Sequence, residues 1–401
     1  MDYVALAVPF FLLALIVEFI YGWLTKKNTY RLNDTISSLF MGSLRGASSV
    51  LKIGFSGFIY YHIETYFSLW RMNSELIITW IFAFIAYDFF YYWFHRISHE
   101  RQIFWASHVA HHQSEEYNLS TALRQTGTGF LISWVFYIPL FLIGVPSYVM
   151  VSVASINLIY QFWVHTRHIP KLGWYEWIFV TPSNHRVHHA QNDLYIDRNY
   201  GGVFVIWDRL FSTFQEEHED EECVYGIRGS IKTFDPLKAN FHIYSKIFKD
   251  IAYSLTFSNL INVLTARTGW SPDGNMKGSS KEKFNIEEFS KHNPETGKFI
   301  KFYALVQFLC MTYAAVVIFP SNSLEYYQGV ILLSVVSFSM YCTAKWLDAE
   351  RILMLEYLRL TMIFGCVAYL YFISPEMLLL YVLFTYLIIN IVFLPFLRKA
   401  T

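Results

Sequence analysis

Apolar and polar residues alternate along this chain in long blocks rather than in short amphipathic periods. The run Tyr3–Leu24 carries one acid, Glu18, and is followed by Lys26, Lys27 and Arg31. It is long enough to cross a bilayer, which takes about 20 apolar residues. No basic segment precedes it and no small-residue cleavage site follows, so it predicts a retained helix rather than a cleaved leader. Residues 50–70 predict a weaker second span, interrupted by Lys52, His62 and Glu64, and residues 76–94 a strong third that runs straight into His95. Residues 130–143 and 147–164 flank Gly144-Val145-Pro146 and read as the arms of a helical hairpin whose short first arm enters the bilayer without fully crossing it. From His165 to Lys298 the chain is mostly polar, with an acidic run at 216–222 and a Gly/Ser/Lys-rich stretch at 268–283. Four apolar runs close the chain, near 300–319, 326–343, 353–373 and 377–397.

This pattern predicts an all-α, multi-pass integral membrane protein. Its expected divisions are N-terminal membrane helices (1–74), a helical core with the hairpin (75–265), a polar cytoplasmic linker (266–298) and a C-terminal four-span segment (299–401). Lys and Arg collect on the cytoplasmic side of membrane proteins. Lys26, Lys27 and Arg31 therefore put the end of the first span inside, and alternating crossings return residues 95–124, 165–298 and Arg398-Lys399 to the same side. A bacterial inner membrane and the endoplasmic reticulum both fit.

Composition agrees. The 401 residues are 54% hydrophobic, 19% aromatic and only 15% charged, where a soluble domain is about 25% charged. Lys+Arg and Asp+Glu balance at 31 each, so there is no basic field to suggest nucleic acid. The four cysteines share no CxxC spacing, which excludes a disulfide scaffold and a zinc ribbon.

Histidine changes the picture. Of 14, eight fall in three boxes: His95-x3-His99, His108-x2-His111-His112 and His185-x2-His188-His189. Residues three and four apart share a helix face, so each box is expected to present its imidazoles in one direction, and the topology brings all three to one face of the membrane as a cytoplasmic helical cap. Eight imidazoles exceed the four ligands of one zinc and suit a di-metal site. Imidazole alone does not choose among Zn, Cu, Fe and Ni. A zinc protease would carry HExxH, and His99-Glu100 and His218-Glu219 lack the second histidine. A zinc-dependent membrane hydrolase with Glu100 as base stays open, while redox iron explains the ligand count better.

These boxes resemble the fatty-acid hydroxylase/sterol desaturase superfamily of membrane di-iron oxygenases. The resemblance is carried by Tyr91-Tyr92-Trp93-Phe94-His95-Arg96-Ile97-Ser98-His99-Glu100, by the segment from Glu116 to Gln125, and by Thr181-Pro182-Ser183-Asn184-His185-Arg186-Val187-His188-His189 with the stretch from Tyr195 to Phe211. Within the superfamily these residues look most like the ether-lipid-cleaving branch, the alkylglycerol monooxygenases. The resemblance covers roughly residues 30–275.

It implies that His95, His99, His108, His111, His112, His185, His188 and His189 bind two iron ions. It also implies O2-dependent oxidation of a membrane lipid, hydroxylation of the ether carbon with release of a fatty aldehyde, and tetrahydrobiopterin as reductant. Oxidation of a fatty-acyl chain, sterol or carotenoid is the alternative within the superfamily, and an electron donor outside this chain is open. His165, at the end of the hairpin's return arm, is a candidate ninth ligand or a group bonded to one. Glu100 is a candidate to bridge metals or take a proton. Asp88, seven residues before His95, is a candidate to hold an imidazole N–H. Asn118, Arg124 and Gln125 are placed where a polar cofactor or headgroup could sit, and Asp197, Arg198, Asp208 and Arg209 are expected to form an ion-pair network. Gly201-Gly202 is expected to permit a close turn.

Overall fold

The computed structural model describes residues 3–44, 55–254, 256–274, 276, 278, 282, 285–314, 325–373 and 377–400. It is helical throughout, and among the described residues β-pairing is confined to three isolated bridges. In chain order the helices are α1 (Tyr3–Leu24), α2 (Leu32–Leu44), α3 (Phe55–Tyr66), α4 (Ile77–Glu100), α5 (Gln102–Ala106), α6 (Val109–His112), α7 (Leu119–Ala122), α8 (Ile138–Ile143) and α9 (Ser147–Trp163). They continue as α10 (Pro182–His189), α11 (Ile206–Leu210), α12 (Pro236–Ala252), α13 (Phe257–Thr265), α14 (Lys298–Tyr313), α15 (Tyr326–Leu347), α16 (Leu353–Ile373) and α17 (Met377–Ala400). Five described segments are long and apolar enough to cross a membrane: Leu6–Leu24, Ile77–Glu100, Tyr326–Leu347, Leu353–Phe372 and Met377–Ala400. The protein is an integral membrane protein.

Two expected spans are described only in part. Residues 50–54 lie outside the described residues, and the described helix α3 runs from Phe55 to Tyr66. One side of it packs on the hairpin: Tyr60 stacks on Phe141 with centroids 4.2 Å apart, and the Leu69 and Met72 N–H groups donate to the carbonyls of Leu142 and Gly144 at 2.7 and 3.1 Å. The hairpin's first arm is a pair of 3-10 turns leading into the six-residue α8. Of the run near 300–319, residues 315–319 lie outside the described residues and α14 has 16 residues.

The chain gathers into two compact units, one of residues 1–31, 54–230 and 240–290, the other of residues 32–53, 231–239 and 291–401. The first holds α1, α4, the hairpin and every box histidine. At its hairpin turn Gly144 has φ +97°, and a Cβ there would sit 1.8 Å from the Trp70 carbonyl oxygen. The second packs α2 with α14–α17 around Phe40, Leu332, Met340, Ile363 and Leu383. Inside its bundle Arg359 pairs with Glu356, Glu356 accepts from the Trp346 indole at 2.7 Å, and Gln307 donates to Asn390 at 2.9 Å. Arg359 and Glu356 are almost fully buried.

Candidate metal centre

Helix α4 does not stop at the apolar run but continues through His95 and His99, which sit one turn apart on its buried side. Arg101 then ends α4 and starts α5, and His108 precedes the four-residue α6. Box three lies on α10, an eight-residue helix started by Pro182 and by a capping box in which Thr181 and Asn184 satisfy each other's backbone N–H groups. Separate helices, two of them short, allow the three boxes to converge from different directions.

They converge on two places. His95, His99, His108, His112 and His188 form one group; His111, His165, His185 and His189 form the other, with the ligand atoms of each group within 4.8 Å of one another and every residue buried. The expectation that a box aims all its imidazoles one way is corrected here. In each HxxHH box the outer pair, four apart, serves one group and the inner histidine the other, because successive helical residues turn by about 100°. His165 joins the second group, one of the two alternatives left open for it.

Outward-facing atoms hold the rings. His95 Nδ1–H donates to the Tyr200 carbonyl at 2.8 Å, His111 Nδ1–H to Arg124 at 2.8 Å, His165 Nδ1–H to Gln161 at 2.8 Å and His188 Nδ1–H to Arg198 at 2.9 Å. Each bond leaves an Nε2 lone pair turned inward, the tautomer a metal needs. His111 and His165 both commit their Nδ1–H in this way, yet their Nε2 atoms stand 3.4 Å apart. Two facing lone pairs call for a cation between them. Within the first group the Nε2 atoms of His99 and His188 are buried with no hydrogen-bond partner, which calls for the same thing.

Burial pushes His108, His112, His165, His185, His188 and His189 well below the ordinary imidazole range, and crowding by neighbouring histidines adds to it. Burial also lowers His111, to about 4, against the opposing pull of the Arg124 carbonyl. Rings kept neutral at pH 7 are ready ligands.

The remaining candidates lie elsewhere. Glu100 is bound to Arg96 at 3.0 Å, outside both groups. Asp88 holds no imidazole: its two oxygens accept from Asn157 Nδ2, the Val203 and Phe204 N–H groups and the Trp207 indole at 2.6–3.0 Å. It thereby fixes the loop that presents the Tyr200 carbonyl. A Cβ on Gly202 would come within 2.8 Å of Asp88 Oδ1, so this glycine lets the loop approach α4 closely. Asp208 also takes backbone N–H groups, of Tyr200 and Gly201 at 2.6 and 2.8 Å, rather than a cation. Arg209 lies over the Phe214 ring, Arg198 reaches the Ser212 carbonyl, and Asp197 Oδ1 stands 3.8 Å from His99 Nδ1; these four residues make a scaffold for the loop, not an ion-pair network. Asn118 caps α7, and Arg124 donates to the Ala110 carbonyl at 2.8 Å, bracing box two. Gln125 donates to the Ala122 carbonyl at 2.9 Å.

A cleft reaches the first group. His99, His112, His188, Trp105, Gln191 and Thr268 are among the residues that line it. Gln191 is 2% exposed, its amide N–H donates to the Tyr225 carbonyl at 3.1 Å, and its Oε1 is buried with no partner. Neither Gln191 nor the four carbonyls that orient the histidines carried a sequence signal, since a backbone acceptor is the same at every residue.

A sequence model of the fatty acid hydroxylase family matches residues 80–213, which contain all nine histidines. The chain is 41% identical over 315 residues to the alkylglycerol monooxygenase of Homo sapiens, covering 77% of this chain and 69% of that one. To the alkylglycerol monooxygenase of Xenopus tropicalis it is 37% identical over 343 residues, 84% and 76% of the two chains. To the ornithine lipid hydroxylase OlsE of Rhizobium tropici it is 28% identical over 176 residues, 43% and 51%. No solved structure matches the chain.

Proposed function

This chain belongs to the alkylglycerol monooxygenases of the fatty acid hydroxylase family, and from that premise we propose that it cleaves the ether bond of alkylglycerol-type membrane lipids by hydroxylation. The nine buried histidines in groups of five and four carry the reading. In it the first group holds one iron ion and the second another. The lone pairs of His111 and His165 that face each other, and the unpartnered Nε2 atoms of His99 and His188, are what such ions would satisfy.

A bound iron pair supplies activation of O2 and the oxidising power to attack an unactivated C–H bond. What this chain contributes is geometry and dryness. The carbonyls of Tyr200, Arg124, Gln161 and Arg198 hold four rings at fixed angles, and the burial of all nine keeps bulk water from the reacting carbon. Thr268 donates from its hydroxyl to the His99 carbonyl at 2.5 Å, tying the cleft wall to the end of α4. Overall, one oxygen atom enters the C–H bond beside the ether oxygen; the other leaves as water with two protons and two electrons from the reductant. The resulting hemiacetal breaks to a fatty aldehyde and a free glycerol hydroxyl.

Tetrahydrobiopterin is the reductant in this reading and enters by the cleft, where Gln191 Oε1 is a buried acceptor suited to an N–H of a flat nitrogen heterocycle. The same reading takes residues 75–265 as the hydroxylase core, 266–298 as linker and 299–401 as a separate membrane segment. It also places the histidines at the cytoplasmic face.

The test is purified protein in nanodiscs with an alkylglycerol, reduced pterin and O2, scored for aldehyde, O2 uptake and bound metal. Two irons per chain and pterin-dependent aldehyde release support the proposal. Turnover of a fatty-acyl chain or sterol instead would move it to the superfamily alternative, and activity without O2 on a zinc-loaded protein would overturn it.

A further inference from the structure

Helix α13 turns its apolar stripe away from the protein. Phe257, Leu260, Ile261 and Leu264 recur at the spacing of one helix face and are 78%, 36%, 46% and 37% exposed. The opposite side, with Asn259 and Asn262 half-buried and Val263 buried, rests against the chain. A helix in a water-soluble domain is rolled the other way, apolar stripe inward. Its neighbour α12 repeats the feature. Ile247 packs with Val263 of α13 and Ala106 of α5, while Phe241, Phe248 and Tyr253 stand exposed.

The depth of this surface is set by bonds to the end of a span. The Arg101 guanidinium donates to the Thr265 carbonyl at 2.9 Å, the Gln102 backbone N–H to Ala266 at 3.1 Å and its side chain to Val263 at 3.3 Å. Arg101 and Gln102 directly follow the last residue of α4. The C-terminal turn of α13 is therefore bolted to the residues that follow α4, a helix long and apolar enough to cross a membrane. Lys249 on α12 and Arg267, two residues beyond α13, are both exposed and carry positive charge suited to lipid phosphates.

We propose that α13, with the end of α12, lies in the plane of the bilayer at the boundary of headgroups and acyl chains, and that lipid covers its outward stripe. This rests on the reading above and deepens it by naming where the chain beside the site meets lipid. Thr268, three residues beyond α13, lines the cleft to the first histidine group. The polar segment that follows the hairpin is thus not wholly aqueous.

The test needs no turnover, so its failure is distinct from failure of the functional proposal. Ile261→Cys and, on the flank of the helix, Ser258→Cys carry a fluorophore in nanodiscs of phosphatidylcholine and phosphatidylglycerol, with the unsubstituted protein as background for the native cysteines. Lipids with a nitroxide on the headgroup or high on the acyl chain should quench the label at 261 by about twofold or more and leave 258 less affected, with aqueous iodide giving the reverse order. Iodide quenching 261 as strongly as 258 overturns the proposal. Protection of 261 from both quenchers also overturns it, in favour of a protein partner. Leu264→Cys, one turn along, carries the same test if Ile261→Cys does not yield monodisperse protein.

Discussion

His111 and His112 are consecutive in the chain and serve different ligand groups, their rings 5.2 Å apart with planes at 83°. The same division recurs at His188 and His189, whose planes meet at 89°. A HisHis pair on a tight helix is thus a splitter, sending one imidazole to each group.

The groups differ in redundancy, and this is testable. Removing His165 leaves the second group three histidines, whereas removing His99 leaves the first group four. His165→Ala is expected to retain about one iron per chain, and His99→Ala close to two, since four nitrogen ligands still make a closed set. Metal analysis of the two purified variants checks it; equal loss from both would contradict the assignment.

Gln191→Leu removes the buried acceptor in the cleft without touching a histidine ligand. It is expected to raise KM for the reduced pterin by about tenfold, the scale of one hydrogen bond with its desolvation, with iron content unchanged. An unaltered KM would remove the cleft as the route of the reductant.

Asp88→Ala strands four donors at once: two backbone N–H groups, an indole and an amide. Each buried donor left unpaired costs about 1–3 kcal/mol, so a large fall in the detergent melting temperature is expected. Displacement of the Tyr200 loop should weaken iron retention through His95 as well. Asp88→Asn keeps part of the acceptor set and is expected to fall between the wild type and Asp88→Ala.

Gly144→Ala places a methyl group 1.8 Å from the Trp70 carbonyl oxygen and asks a residue with a side chain to adopt φ +97°. The hairpin turn must open, and protease cleavage near residues 70–72 and 144–146 is the expected readout. Gly57, where an added Cβ meets nothing within 4 Å, serves as the matched control.

In the second unit, Glu356→Ala leaves the Arg359 guanidinium buried without its counter-charge. A loss of about 3–5 kcal/mol is expected. The double change Glu356→Leu with Arg359→Leu should recover most of it, because the penalty comes from the orphaned charge. Thermal unfolding followed in detergent by far-UV circular dichroism distinguishes the two outcomes.

The membrane class, the strongest spans and the box histidines were legible in the sequence, because apolar run length and the repeat of one rare residue type are properties of the string. Residues 55–70 make both kinds of contact, Tyr60 and Ile63 packing on the hairpin while Phe58, Tyr61, Tyr66 and Phe67 stand exposed, and apolar content alone does not separate the two. Asp88 misled because its distance from His95 suggested a shared face, yet four donors from distant segments were better partners than an imidazole.

Taken by itself, the sequence determined that this chain lives in a membrane and repeats histidine at the spacing of metal ligands. Only the tertiary structure decided that nine histidines divide five and four, that His165 joins the second group while Glu100 joins neither, and that carbonyls from Tyr200, Arg124, Gln161 and Arg198 choose the tautomers. The reason is physical. Ligand type is a property of the side chain, whereas which lone pair points where depends on backbone acceptors brought from up to 105 residues away, and a carbonyl carries no mark in the sequence.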